Sequence, residues 1–199
     1  MLLPEWVTAD PSARIEDGAV VGYAFTEPPP ETLIGAGCHV RTQAIVYAGA
    51  RLGARVHVGH GALIREFSRL GDDASVGTRT VIEHDVQIGD RVRIHSAAFI
   101  PELTVIEDDA WIGPMVCVTN ARYPMMGPRE SRISGVTIRK GAKIGAAAVL
   151  LPGITVGEGA LVGAGSVVTG DVASGDVVVG NPAKVVSKVE DIEGRIAAR

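Results

Sequence analysis

Large rings are scarce in this chain: 4% of its 199 residues are aromatic, although 46% are hydrophobic. Its core must therefore be filled by small and branched aliphatics, which fits a narrow interior and argues against the thicker core of an ordinary β-sandwich. Cysteine is nearly absent. Cys38 and Cys117 are too few for a disulfide scaffold and lack the CxxC spacing of a zinc site. Basic residues show no surplus, with Lys+Arg 19 against Asp+Glu 23 and a net charge of −4, so neither nucleic acid nor an anionic membrane is an expected partner. No apolar run reaches the ~18 residues of a membrane span, and the amino end "MLLPEWVTADPSARIEDG" carries no basic leader before a long apolar segment. The expectation is a cytoplasmic protein of one substantial domain.

What the chain has instead is a period. Stepping by six from Ile34 through Val40, Val46 and onward to Ile112 and Val118 meets fifteen positions, all Ile, Val or Leu. Four residues after each of the first fourteen stands something small or β-branched, from Cys38 and Ala44 to Ala110 and Val116. The phase breaks once and resumes at Ile138, Ile144, Leu150, Val156, Val162 and Val168, while Ile15 and Val21 fit an earlier pair of rungs before "EPPPETL". Alternation along a strand points the small residue and the following aliphatic inward, with the residue between them outward. The next two positions, often Gly, Asp or Asn, turn the chain because those residues tolerate left-handed backbone. Short strands joined by tight turns every six residues describe a solenoid. Three hexads make a triangular coil of 18 residues, each stacked on the next at about 4.8 Å.

The segments "IGDRVRI", "IGAAAVLLPGITVGEGALVGAGSVVTGDV" and "VVVGNPAKVV" resemble the hexapeptide-repeat acyltransferase superfamily over residues 34–187. The resemblance implies an all-β, left-handed parallel β-helix that works as a homotrimer and uses acetyl-CoA as donor. The expected organisation is a β-helix domain over 1–187, a projecting loop over 119–137 and a short helical tail over 188–199.

Stacking converts sequence distance into geometry. Position n lies beneath n+18, so Glu66, His84, Glu102 and Asn120 form one outward corner column, while Cys38 and Cys117 lie too far apart to bridge. A histidine between two carboxylates is held in one tautomer with its other nitrogen free to accept a proton, the arrangement of a general base. The same carboxylates also stabilise the imidazolium, and a surface salt-bridge ladder would look alike. By resemblance "IEHD" is the His-Asp turn that carries the base in several of these acyltransferases, which makes His84, Glu102 and Asn120 the catalytic candidates. His39 and His57 fall on flat outer faces, solvated or at a subunit contact. His60 takes the corner phase on a neighbouring edge and His95 points outward, so with Glu66 they are candidate substrate-binding residues. Asp72, Asp90 and Asp108 read as turn chemistry.

The insertion "TNARYPMMGPRESRISGVT" leaves from the coil directly above Glu102 and can reach over a cleft beside His84. It offers Asn120 as an amide, Arg122, Arg129 and Arg132 for anionic groups, and Tyr123, Met125 and Met126 for a base or sugar face; a flexible loop or a trimer clasp would need no such chemistry. "VTNARYP" is similar to a loop of the nucleotide-sugar N-acetyltransferases, which implies acetylation of an amino group on a nucleotide-linked sugar. In O-acetyltransferases of simple sugars the corresponding loop supplies a histidine before the proline, and here that place holds Tyr123. On the donor side the small outward residues of the later coils make a smooth groove for a pantetheine arm, which by resemblance runs past Gly145, Ala146, Gly163 and Ala164 toward Pro182, with Lys140, Lys143 and Lys184 near the phosphates. No metal is expected. Rival readings are a sugar O-acetyltransferase, a γ-carbonic-anhydrase-like zinc protein, for which three converging histidines would be required, and a non-catalytic scaffold.

Overall fold

In the computed structural model, which describes residues 3–128 and 133–197, the chain winds into three flat sheets of eight, ten and eight strands. Successive strands enter the three sheets in rotation, so that Val81–Ile82 lies in the third face, Gln87–Ile88 in the first and Arg93–Ile94 in the second. All ladders between coils are parallel, and the register is the expected one: Arg69 pairs with Gln87, Ser75 with Arg93 and Val81 with Phe99. The fold is a left-handed parallel β-helix. No described helix is long and apolar enough to cross a membrane.

The period of six is the period of the core. Ile64, Ile82, Ile100, Ile106, Ile112, Ile138, Ile144 and Leu150 are fully buried, as are the small partners Ala44, Val56, Val86, Val92 and Ala142. The turns are less selective than their sequences suggest. Within the regular coils, from Ile34 to Ile112 and from Ile138 to Val162, the residue three places after the aliphatic takes positive φ, and the position is filled not only by Gly and Asp but by Arg55, Phe67, Arg79, Arg91, Leu103 and Met115, with φ of 55–65°. The left-handed region costs such residues roughly 1–2 kcal/mol each, and the regular ladder on both sides over-determines it. The first-to-second edge has a further device: Asp72 accepts from the Ala54 amide at 2.8 Å, Asp90 from Asp72 at 2.8 Å and Asp108 from Asp90 at 2.9 Å. Each aspartate thus satisfies the turn one coil below, which is the structural duty expected of them.

The coiling starts one rung earlier than the six-residue period indicates, at Val7–Ala9. Two departures interrupt it. Val20 pairs with Ile45, twenty-five residues on rather than eighteen, and Val105 pairs with Thr137, thirty-two residues on. Both extra segments leave at the third-to-first edge, where breaking the chain's path disrupts no ladder. At the far end "VVVGNPAKVV" is an antiparallel hairpin: Asp176–Gly180 adds to the second face in parallel and Ala183–Lys188 folds back on it. The buried Asp176 pairs there with Lys188 at 2.5 Å, and helix α1 (Val189–Ala197) follows.

Candidate functional site

Three side chains of the corner column make one continuous set of contacts. The amide of Asn120 donates to Glu102 at 3.4 Å, and the other oxygen of Glu102 lies 3.2 Å from Nε2 of His84. Glu102 is buried at 7% exposure, so its carboxylate is fixed by its surroundings as well as by its partners. The second nitrogen, Nδ1, meets Asp85 at 2.8 Å. Asp85 sits at the positive-φ turn position, φ 56°, which swings its carboxylate back toward the preceding histidine.

Glu66 does not flank the imidazole as the column alone suggests. Arg65 takes both its oxygens, through Nη2 at 2.7 Å and Nε at 3.1 Å. Its backbone carbonyl instead receives the amide of Asp85 at 3.2 Å. The histidine therefore lies between Asp85 and Glu102, one exposed and one buried. Adjacency in the sequence hid this, because neighbouring residues on a strand point apart and only the left-handed turn brings them together.

The other candidates disperse. His60 stands exposed on the second-to-third edge, and His95 packs against Trp111 with ring centroids 4.7 Å apart and the planes tilted at 54°, beside the second face. Neither shares an edge with His84 in one chain. His39 is half-buried and binds Glu16 at 2.7 Å, and that contact, after the Thr42 amide, holds the Glu16 carboxyl below the usual carboxylate range. Arg122 turns up the axis and donates to the Pro152 carbonyl at 3.2 Å, bracing the second insertion from the next coil. Tyr123, Met125 and Met126 are exposed on that insertion, and its root is closed by the Ser134 amide on the Asn120 carbonyl at 2.8 Å and by an antiparallel bridge between Ala121 and Ile133. Arg129 and Arg132 lie outside the described residues.

Gly145, Ala146, Gly163 and Ala164 do form a strip, on the second-to-third edge. Its narrowness is steric: a methyl on Gly145 would overlap the Ala164 amide nitrogen, and one on Gly163 would run into Val179 of the terminal hairpin. Space lies open beside Gly165. Pro182 and Lys184 belong to the hairpin beyond the strip, Lys143 projects from the second face, and Lys140 stands on the first-to-second edge, away from it. A depression of about 420 Å³ lies there, lined by Gln87, Val105, Glu107, Asp108 and Lys140, on a different side from His84. An edge of a single solenoid is convex, so room beside His84 has to come from projecting loops or from another copy. Among the described residues no group of three or more His, Cys, Asp or Glu is placed to hold a metal ion.

One outer face is unlike the others. On the third face the outward positions are Ile45, Leu63, Val81, Phe99, Cys117, Val149 and Val167, all apolar or thiol. The matching positions of the second face include His39, His57, Ser75, Arg93 and Lys143. The third face is bounded on one side by the His84 edge and on the other by the glycine-rich strip.

Residues 135–170 match the family model of the bacterial transferase hexapeptide, six repeats. No curated protein matches the chain significantly in sequence. Among solved structures it is similar to a hexapeptide-repeat-containing acetyltransferase from Vibrio cholerae O1 biovar eltor, complexed with acetyl coenzyme A, at 26% identity and TM-score 0.55 over 60% of this chain and 69% of that one. It is also similar to a maltose O-acetyltransferase from Clostridium difficile 630, at 27% identity and TM-score 0.54 over 60% and 68%. The polySia-specific acetyltransferase NeuO matches over 93% of this chain and 88% of its own, at 20% identity and TM-score 0.52, a likeness of fold.

Proposed function

From a chain that carries the hexapeptide repeats of bacterial transferases, we propose a cytoplasmic acyltransferase that moves an acetyl group from acetyl-CoA to an amino group of a nucleotide-linked sugar. The observation that carries this reading is the contact chain Asn120–Glu102–His84 on the edge from which both insertions project. The two more similar structures, both acetyltransferases, support the reaction class. The carboxylates of Asp85 and Glu102 suit an ammonium substituent on arrival, and the similarity of "VTNARYP" to the nucleotide-sugar enzymes supports the carrier.

A neutral imidazole has one N–H and one lone pair, so it donates to only one of its two carboxylates. Glu102 is buried and braced by Asn120, whereas the Asp85 side chain is 51% exposed. The ring is therefore held with Nε2–H toward Glu102, and Nδ1 is the proton acceptor once Asp85 swings aside. The acceptor amine attacks the thioester carbonyl carbon; its proton passes to Nδ1 directly or through water, the C–S bond breaks, and coenzyme A leaves as the thiol after receiving a proton. Glu102 stabilises the imidazolium formed in between, as a buried carboxylate does behind a catalytic histidine.

Donor strip and base lie on opposite borders of the third face, so one chain does not bring them together. Packing that apolar face against other copies sets the strip of one subunit beside the His84 edge of the next, which supports the homotrimer. Acetylation of a sugar hydroxyl is the second reading, favoured by the likeness to the maltose enzyme and opposed by Tyr123, where the O-acetyltransferase loop carries histidine. Thiol release from acetyl-CoA, measured against free and nucleotide-linked amino sugars and their hydroxyl analogues, is the test. Turnover with amines supports the proposal; turnover with hydroxyl analogues alone selects the second reading; no thiol release with any acceptor, joined to no thermal shift with coenzyme A, refutes both.

A further inference from the structure

The first insertion has no part in the contacts around His84, yet it leaves from the same edge three coils below. Its root is pinned by Trp6, whose Nε1 donates to the Gly22 carbonyl at 2.9 Å. From there the chain sets out a cluster of rings. Tyr23 packs on Tyr47 at 4.9 Å, Phe25 meets Tyr47 edge-on at 5.9 Å, and the Arg65 guanidinium lies over the Tyr47 ring at 5.8 Å. Phe67 lies over Gly49 beside Pro30. In a chain with 4% aromatic residues this concentration is unusual, and Tyr23, Phe25 and Phe67 remain 49%, 60% and 50% exposed. A small hollow of about 20 Å³ between Phe25 and Phe67 is lined also by Thr26, Pro30 and Glu66. Glu66 joins this hollow to the site above, since its carbonyl binds the Asp85 amide.

Along this edge the chemistry changes in order. At the level of His84 stands the carboxylate of Asp85, with that of Glu102 one coil above; one coil below His84, about 5 Å down the axis, stands Arg65; two coils further, about 14 Å from His84, are the rings of Tyr23 and Phe25. A nucleoside diphosphate sugar carries the same sequence of groups: an amine at one end, a diphosphate in the middle, and a flat aromatic base at the other. We propose that the ring cluster of Tyr23, Phe25 and Phe67, exposed around the half-buried Tyr47, is a stacking subsite for the nucleobase of the acceptor, with Arg65 facing the diphosphate. This rests on the acceptor reading above and adds the place where its far end binds. Stacking on aromatic side chains is tolerant of which base is bound, so the subsite sets the reach of the acceptor more than the identity of its base. Arg65 is pre-positioned by its two bonds to Glu66, which also neutralise that carboxylate and so reduce its repulsion of phosphate.

The experiment is a binding titration that needs no turnover. UDP, dTDP and GDP are titrated separately into the 199-residue chain and followed by saturation-transfer NMR, with maltotriose as an uncharged saccharide control. The wild type, Phe25→Ala and Tyr23→Ala/Phe25→Ala are compared after circular dichroism and light scattering establish that fold and mass are unchanged. Expected are saturation of the base protons of at least one diphosphate and a dissociation constant raised about tenfold in the double variant, in keeping with the loss of a base–aromatic stack. Binding of none of the three nucleotides, or binding that both variants leave unaltered, overturns the proposal. So does maltotriose binding that the variants abolish, which would make the cluster a saccharide platform, and so does a change of particle mass, which would make it a subunit contact. Absence of thiol release with every amino sugar, alongside nucleotide binding that depends on Phe25, would sink the acetyltransferase reading and leave the subsite standing.

Discussion

If Glu102 holds the histidine and Asp85 merely caps it, the two carboxylates must differ in their effect on turnover. Glu102→Gln keeps the shape and can still accept from Nε2–H, but it removes the charge that stabilises the imidazolium at 3.2 Å. A hydrogen bond to a charged group is worth about 1.5–3 kcal/mol, so kcat should fall roughly tenfold to a hundredfold. Asp85, whose side chain is 51% exposed at 2.8 Å from Nδ1, belongs with surface pairs worth about 0–1 kcal/mol, and Asp85→Asn should change kcat by about fivefold or less. His84→Ala should cost about 10²–10⁴, and His84→Ala/Glu102→Gln should be no slower than His84→Ala, because Glu102 acts only through the ring. The assay is thiol release from acetyl-CoA at saturating acceptor, with circular dichroism as a folding control. A larger loss from Asp85→Asn than from Glu102→Gln would exchange the roles of the two nitrogens. A double variant slower than His84→Ala by the full Glu102→Gln factor would refute the linkage.

Further outcomes follow from the solenoid itself. Gly145→Ala should destabilise by about 1–3 kcal/mol, since the new methyl meets the Ala164 amide of the next coil, whereas Gly170→Ala, with open space around it and no positive φ, should be neutral or gain about 0.4–1 kcal/mol; equal thermal midpoints for the two would contradict the close-approach reading. Leu103→Gly should stabilise by about 0.5–1 kcal/mol, because Leu103 holds φ 65° at 49% exposure and relief of left-handed strain exceeds the added chain entropy; a lower midpoint would show that its side chain contributes more than its backbone costs. The hydrogen bonds of Arg55 to Asp73 and Arg91 to Asp109 hold both carboxyls below their usual range, so their stabilisation is complete above that range and is lost as pH falls through the lowered values. The thermal midpoint should therefore hold down to about pH 4 and drop below it, and Asp73→Asn/Asp109→Asn should flatten that drop. If the proposed homotrimer packs through the third face, Phe99→Asp, at 37% exposure there, should give single chains in light scattering where the wild type gives trimers; equal masses for the two would refute that packing.

The fold was legible because a solenoid repeats one local decision. Each inward Ile or Val with its small partner four residues later specifies a rung without reference to distant sequence, and fifteen such rungs leave no other period. The coil below and the coil above then follow from counting, which is how Glu102 and Asn120 could be placed with His84. Counting fails where the path leaves the ladder. The contact of His84 with Asp85 depends on the left-handed turn at Asp85, φ 56°, and that conformation is set by the coil rather than by the residue: Arg91, Leu103 and Met115 adopt it too. The pairing of Glu66 with Arg65 is likewise a choice between two neighbours of one carboxylate, and column arithmetic sees only the vertical one.

The first insertion was hidden for a related reason. "EPPPETL" reads as an interruption, and nothing in its composition says which of three edges it leaves from or what it folds against. Position decides both. Because the phase of Val21 and Ile34 lies in the third and first faces, the extra residues must leave from the edge that also carries His84 and the second insertion. Among the described residues, this edge alone of the three has its chain path lengthened on both sides of a histidine–carboxylate cluster. The edge that carries His84 is convex, so function there needs walls, and walls can be added only where no ladder hydrogen bond is given up. The meeting of both insertions with the Asn120–Glu102–His84 chain on a single edge is therefore a stronger indication of where the acceptor binds than any one residue on it.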